Sequence, residues 1–206
     1  GLNRNTAYHP LTIEGKKTAG LEIWAQMGFQ APDAVVVSVG DGVILGGVHK
    51  AFVDLLRAGL IEKLPRLIGV QAEKSDAIHR YVQTGTYSDA PDPSTRADSI
   101  SVVCPSNAHG CRKAVLDSRG LTLTVSDEEI LDAQGLLARG TGIFTEPAGA
   151  TAMAGLLKLQ QGPGRLPADS RVVVLATGHG LKDIESPLTR IAIPPAVEPR
   201  MEALTI

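Results

Sequence analysis

Three small residues carry the clearest capacity for chemistry in this sequence. Gly40, Asp41 and Gly42 end an apolar run, AVVVSV at 34–39, and stand ahead of Gly46 and Gly47, after which Val48, Phe52, Leu55 and Leu56 recur at helical spacing. A strand, a glycine turn and a helix in that order leave backbone N–H groups unpaired at the helix N-terminus. The partial positive charge there favours an anion, most often a phosphate. Two readings fit the pattern: a phosphate cradle, or a sharp turn that merely closes a buried strand, since short glycine patterns recur by chance. Cys104, His109 and Cys111 are metal-ligating residue types lying close together, but their spacing matches no standard zinc pattern and no second ligand pair follows. Two cysteines are too few for a disulfide framework, so both are read as reduced thiols.

The elements that must position these residues can be read in order. Residues 13–27 have helical spacing and stop at Gly28; the strand at 34–39 and its helix follow, ending at Gly59. LIGVQA at 67–72 reads as a second buried strand, with a helix over 75–83. The segment 84–98 is rich in Pro, Asp, Ser and Thr and reads as a surface loop. A weak strand is expected at 99–103, a helix at 107–118 and a clearer strand at 121–125. Ser126 and Glu129 have the spacing of a capping box opening a helix to about residue 139. Pro147 opens a further helix that ends near Gly162, and RVVVLA at 171–176 is the last buried strand, broken by Thr177, Gly178, His179 and Gly180.

Five apolar strands alternating with helices predict an α/β fold, a doubly wound and mostly parallel sheet with helices on both faces. Ligands of such sheets bind beyond the carboxyl ends of the strands, which places the loops after Val39 and Ala176 at one edge. Both loops are glycine-rich, and that coincidence favours the cradle over the plain turn. The chain has 206 residues, 43% of them hydrophobic and 20% charged, with a net charge of -2, the composition of one globular domain. No basic block points to nucleic acid and no apolar run is long enough to span a bilayer, so neither a nucleic-acid nor a membrane partner is expected, and the expected location is cytoplasmic.

Resemblance extends this reading. IEGKKTAGLEI (13–23), SVGDGVILGG (38–47), LIGVQAE (67–73), VSDEEIL (125–131), GIFTEPAGATAMAGLLKL (142–159) and VVVLATGHGLKD (172–183), in that order, resemble the C-terminal part of the threonine synthases. That family belongs to the tryptophan-synthase-like, fold type II enzymes that use pyridoxal 5'-phosphate. The resemblance implies a cofactor site at the carboxyl edge of the large-domain sheet, with Gly40, Asp41, Gly42, Val43 and Ile44 around the phosphate. It implies that the Thr177 hydroxyl meets the pyridine nitrogen. Glu146, in the EPA segment, is either close to the cofactor or simply a carboxylate favourable at a helix start. His179 and Lys182 lie beside the site and are read as structural or solvated. A small amino acid is the implied substrate, elimination or replacement at its β or γ carbon the implied reaction, and a homodimer the usual assembly.

The same resemblance exposes departures. The family's Schiff-base lysine lies in an N-terminal Ser-x-Lys segment, and Lys16, Lys17, Lys50 and Lys182 all match other positions, so none is nominated for that role. With Gly1 in place of a start methionine, the expectation is a C-terminal fragment, inactive by itself and lacking most of the small domain. The competing expectation is a non-catalytic α/β module that binds a phosphorylated ligand. Threonine synthases grip the phosphate of phosphohomoserine through a serine and an arginine flanking an Asn-Pro pair and an asparagine in the glycine-rich turn. Ala7, Thr12 and Asp41 stand at those positions here, which predicts a preference for an unphosphorylated substrate. Arg4 is the candidate for a compensating basic residue.

Overall fold

A computed structural model describes residues 6–192, 195–196 and 199–200. Gly1 and Arg4 lie outside the described residues. The first helix, α1 (Pro10–Gln26), starts three residues earlier than its apolar spacing suggested, because Pro10 occupies the first turn, where its missing N–H costs nothing. There follow β1 (Ala34–Ser38), α2 (Val43–Arg57), β2 (Arg66–Ala72), α3 (Ala77–Thr84), α4 (Ala108–Asp117), β3 (Leu121–Val125), α5 (Asp127–Thr141), α6 (Pro147–Gln161), β4 (Val172–Leu175) and a short α7 (Glu185–Leu188).

All strand pairings are parallel and the order is β3-β2-β1-β4. Alternation along β1 divides the core. Ala34 and Val36 face α5 and α6, joining Ile68, Val70, Ile130, Ala150 and Ala154, whereas Val35 and Val37 face the other helices, joining Leu45, Phe52, Ile78 and Val115. Helices therefore cover both faces. The chain winds outward from β1 through β2 to β3 and then returns to place β4 on the other side of β1. Between β1 and β4 lies the topological switch point, the crevice where open α/β sheets bind ligands.

Two expectations are corrected. Segment 99–103 is not a fifth strand: Asp98–Ile100 forms a 3-10 turn, and the backbone beyond it is bound by a side chain. Ser75 Oγ donates to Ile100 O at 2.9 Å and accepts from Val102 N–H at 3.0 Å, so the groups a ladder would have used are satisfied locally. Strand β4 is only partly buried along its whole length, as an edge strand is, rather than enclosed like β1. The capping box of α5 is formed as expected, with Glu129 N–H donating to Ser126 Oγ at 3.2 Å and Ser126 N–H donating to Glu129 Oε2 at 2.7 Å.

Burial lowers the pKa of His49 and of His79, with Asp117 and Asp76 opposing the shift. His49 Nε2 lies 3.4 Å from Asp117 Oδ2, and His79 Nδ1 lies 3.0 Å from Thr122 Oγ1. Below about pH 6.5 the unfolded chain protonates these imidazoles before the folded chain does. Stability is accordingly level above that pH and falls as pH drops below it. The carboxylates with lowered pKa, Asp54, Glu129 and Asp183, add their own loss only at lower pH. Urea midpoints measured at about pH 7.5 and about pH 5.5 should show the lower value under the more acidic condition; an unchanged or higher midpoint there contradicts the assignment.

Candidate cofactor site

Gly42 begins the site. With φ of 81° it adopts a left-handed backbone that an L side chain resists, and this reversal lets α2 start at Val43. The helix therefore begins well before Val48. Gly46 and Gly47 lie inside it, where they admit close neighbours: Asn107 against Gly46 and the backbone of α1 at Lys16 against Gly47. The first backbone return in α2 is Gly46 N–H to Gly42 O at 3.0 Å, and no side chain caps the helix. The N–H groups of Val43, Ile44 and Leu45 thus have no acceptor within the helix, unlike those of the capped α5.

Val43 and Ile44 border a cavity of 490 Å³ at the switch point. Gly40, Asp41, Gly42, Val43 and Ile44 line it together with Glu146 and Thr177, so every residue nominated for the cofactor from the sequence lines the same cavity. Ser38, Ser99, Ile100, Thr12 and Lys16 also line it. Ser99 and Ile100 were missed as site residues because their segment reads as a strand, yet a Cβ on Gly40 would lie 2.9 Å from Ile100 Cα. That closeness fixes the turn against the 99–100 wall. Ser38 Oγ accepts from Ala152 N–H at 2.9 Å and ties the end of β1 to α6.

Thr177 is placed by a close approach. A Cβ on Gly149 would collide with the carbonyl oxygen of Thr177, so α6 can admit the loop after β4 only because that residue has no side chain. Next to it Gly178, with φ of 67°, folds over Glu146. Glu146 is 8% exposed and its Oε2 lies 2.6 Å from Lys182 Nζ, an ion pair within the cavity wall. Lys182 reaches the cavity rim through this pair while most of its side chain stays exposed to solvent. His179 behaves as read from the sequence, its Nδ1 accepting from Leu181 N–H at 3.1 Å as a local cap.

Asp41 does not project its charge at the turn. Its Oδ1 accepts from Ser106 N–H at 3.0 Å and from Ser106 Oγ at 3.1 Å, and its carbonyl accepts from Asn107 N–H at 3.0 Å. The carboxylate belts the turn to the start of α4. Cys111 is a core residue beneath Gly42, its thiol pushed up to about 12 by burial, while the exposed Cys104 has its Sγ 3.5 Å from the Tyr87 hydroxyl.

The chemistry of this lining suits a phosphorylated aromatic aldehyde. An uncapped helix N-terminus with its dipole and a neutral hydroxyl-bearing residue, Thr177, line the same cavity. Comparison with known proteins agrees. The family model described as pyridoxal-phosphate dependent enzyme matches residues 2–178. Threonine synthase of Methanocaldococcus jannaschii is 37% identical over 198 residues, 95% of this chain and 49% of that protein. Threonine synthase of Mycobacterium bovis is 37% identical over 191 residues, 93% of this chain and 50% of that protein. Among solved structures, a threonine deaminase of T.th. superimposes with a TM-score of 0.68 at 31% identity, covering 82% of this chain and 58% of that one. An L-serine ammonia-lyase from Rhizomucor miehei gives 0.68 at 26% identity, covering 83% of this chain and 53% of that one. The chain spans about half the length of the curated relatives it matches. The match over most of the sequence, on a fold whose switch-point cavity has the required lining, makes this chain a member of the pyridoxal-phosphate-dependent enzyme family.

Proposed function

We propose that residues 1–206 form the large-domain portion of a threonine-synthase-like enzyme that performs elimination or replacement at the β or γ carbon of a small amino acid. The observation that carries this reading is the meeting of the uncapped α2 N-terminus and the Thr177 loop in one cavity at the switch point. Pyridoxal phosphate, when bound, supplies the electron sink that stabilises a carbanion at the amino acid's α carbon. The residues of this chain orient it. Backbone N–H groups of the turn at 40–44, among them those of Val43 and Ile44, hold the phosphate, and the Thr177 hydroxyl meets the ring nitrogen. A hydroxyl there does not stabilise a protonated ring as a carboxylate would, which moderates the sink and favours elimination or replacement over transamination. Glu146, neutralised by Lys182, walls the ring side without adding net charge.

Substrate preference follows from Ala7 and Thr12, which leave the positions of a serine and an arginine without the hydroxyl of the one and the guanidinium of the other. The favoured substrates are unphosphorylated amino acids of the serine, threonine or diaminopropionate type, with release of ammonia. Among the described residues no helix is long and apolar enough to cross a membrane, and a cytoplasmic homodimer is the assembly we propose. The cofactor reading is tested by treating the full-length protein, which is expected to absorb in the visible, with borohydride and mapping the labelled lysine. The label should fall outside residues 1–206. Stoichiometric labelling of a lysine within them would refute the assignment of roles.

A further inference from the structure

We propose that Lys16 supplies the positive charge that completes the phosphate cradle and makes the site select pyridoxal phosphate over pyridoxal; this rests on the cofactor reading above. Charged side chains on the cavity are Lys16, Asp41, Glu146 and Lys182. Glu146 and Lys182 pair at 2.6 Å, and Asp41 keeps its charge on a neutral partner, Ser106. Of the two cations, Lys16 is the one with no acidic partner among the described residues.

The acids on the neighbouring surface are committed elsewhere. Glu14 pairs with Lys50 and with Lys17 at 3.3 Å, and Asp54 pairs with Lys17 at 2.7 Å. Among the described residues no ion pair or hydrogen bond occupies the Lys16 ammonium. Its root is pressed against the same helix that opens the cradle, since a Cβ on Gly47 would overlap Lys16 Cβ and lie 2.8 Å from its carbonyl carbon. Gly47 is about one turn along α2 from Val43, and the Lys16 side chain lines the cavity bounded by that first turn. Thr12, which shares the cavity, lies one turn earlier on the same face of α1. Among the described residues, α1 thus contributes to the cavity lining one neutral hydroxyl-bearing residue and one lysine without an ion-pair partner. A dianion bound by the N–H groups of α2 would gain a charge-assisted partner from Lys16, whereas an unphosphorylated ring would gain nothing.

The test is equilibrium binding to the full-length protein, followed by absorbance, with pyridoxal phosphate and pyridoxal titrated separately against wild type, Lys16→Gln and Lys16→Arg. Lys16→Gln is expected to weaken pyridoxal phosphate about tenfold or more at low ionic strength and to leave pyridoxal unchanged. Lys16→Arg should retain most of the affinity, and the difference should shrink as salt is raised. Equal loss for both ligands would mean a folding role and overturns the proposal, as does unchanged pyridoxal phosphate affinity. Loss confined to phosphohomoserine turnover, with cofactor affinity intact, also overturns it, because the charge would then serve a substrate phosphate. Wild type that binds neither ligand would overturn the cofactor reading itself, a result distinct from a silent Lys16→Gln variant.

Discussion

Gly42→Val in the full-length protein is expected to weaken pyridoxal phosphate binding by at least about a hundredfold while the secondary structure survives. The sequence suggests a simple reason, that a side chain would fill the space of the anion. The structure gives a different one. A Cβ at this position points under the turn, 2.7 Å from Cys111 Cβ and 3.2 Å from Asn107 O, and the φ of 81° is one that a β-branched residue avoids. Left-handed strain of about 1–3 kcal/mol, added to the overlap, forces the turn to move and withdraws the N–H groups from the phosphate. Losing two charge-assisted hydrogen bonds costs about 3 kcal/mol or more, which is the predicted hundredfold. Gly59→Ala is the control, for Gly59 has φ of 71° and open space around its missing Cβ, at the far end of α2. That variant should lose some stability and keep its cofactor affinity. Equal cofactor loss in the two variants would show that general destabilisation, and not the cradle, explains the first.

Phosphohomoserine is expected to be a poor substrate of the full-length enzyme compared with threonine or diaminopropionate. A guanidinium that grips a phosphate contributes about 2 kcal/mol and a hydroxyl about 1 kcal/mol, so Thr12 and Ala7 in place of arginine and serine cost about 3 kcal/mol together. That is roughly a hundredfold in kcat/KM. Steady-state assays with the three substrates decide the matter. Efficient phosphate release with formation of threonine would contradict the preference and place the enzyme with the threonine synthases in activity as well as in sequence.

What the sequence made legible was whatever depends on neighbours along the chain. The unbroken burial of β1, the reciprocal Ser126 and Glu129 cap, and Pro147 at a helix start are local properties, and each appears where the residues imply it. The nominated site residues meet in one cavity because strand ends share an edge in any parallel sheet. Contacts between distant segments were not legible. Segment 99–103 lost its strand to a hydroxyl at Ser75, and Asp41 was turned by Ser106, which is 65 residues away. The start of α2 was misplaced because glycines inside a helix look like a turn until α1 and Asn107 are seen packing against them. The pairing of Lys182 with Glu146 was not legible either, because the two belong to different segments, although the exposure of Lys182 was.

The most direct measurement is a crystal structure of the full-length protein grown with pyridoxal phosphate. The phosphate is predicted at the N–H groups of the turn at 40–44, among them those of Val43 and Ile44, with Lys16 Nζ within hydrogen-bonding distance and the ring nitrogen facing Thr177 Oγ1. Cofactor density elsewhere, or a phosphate at α2 with its ring turned away from Thr177, would contradict the account.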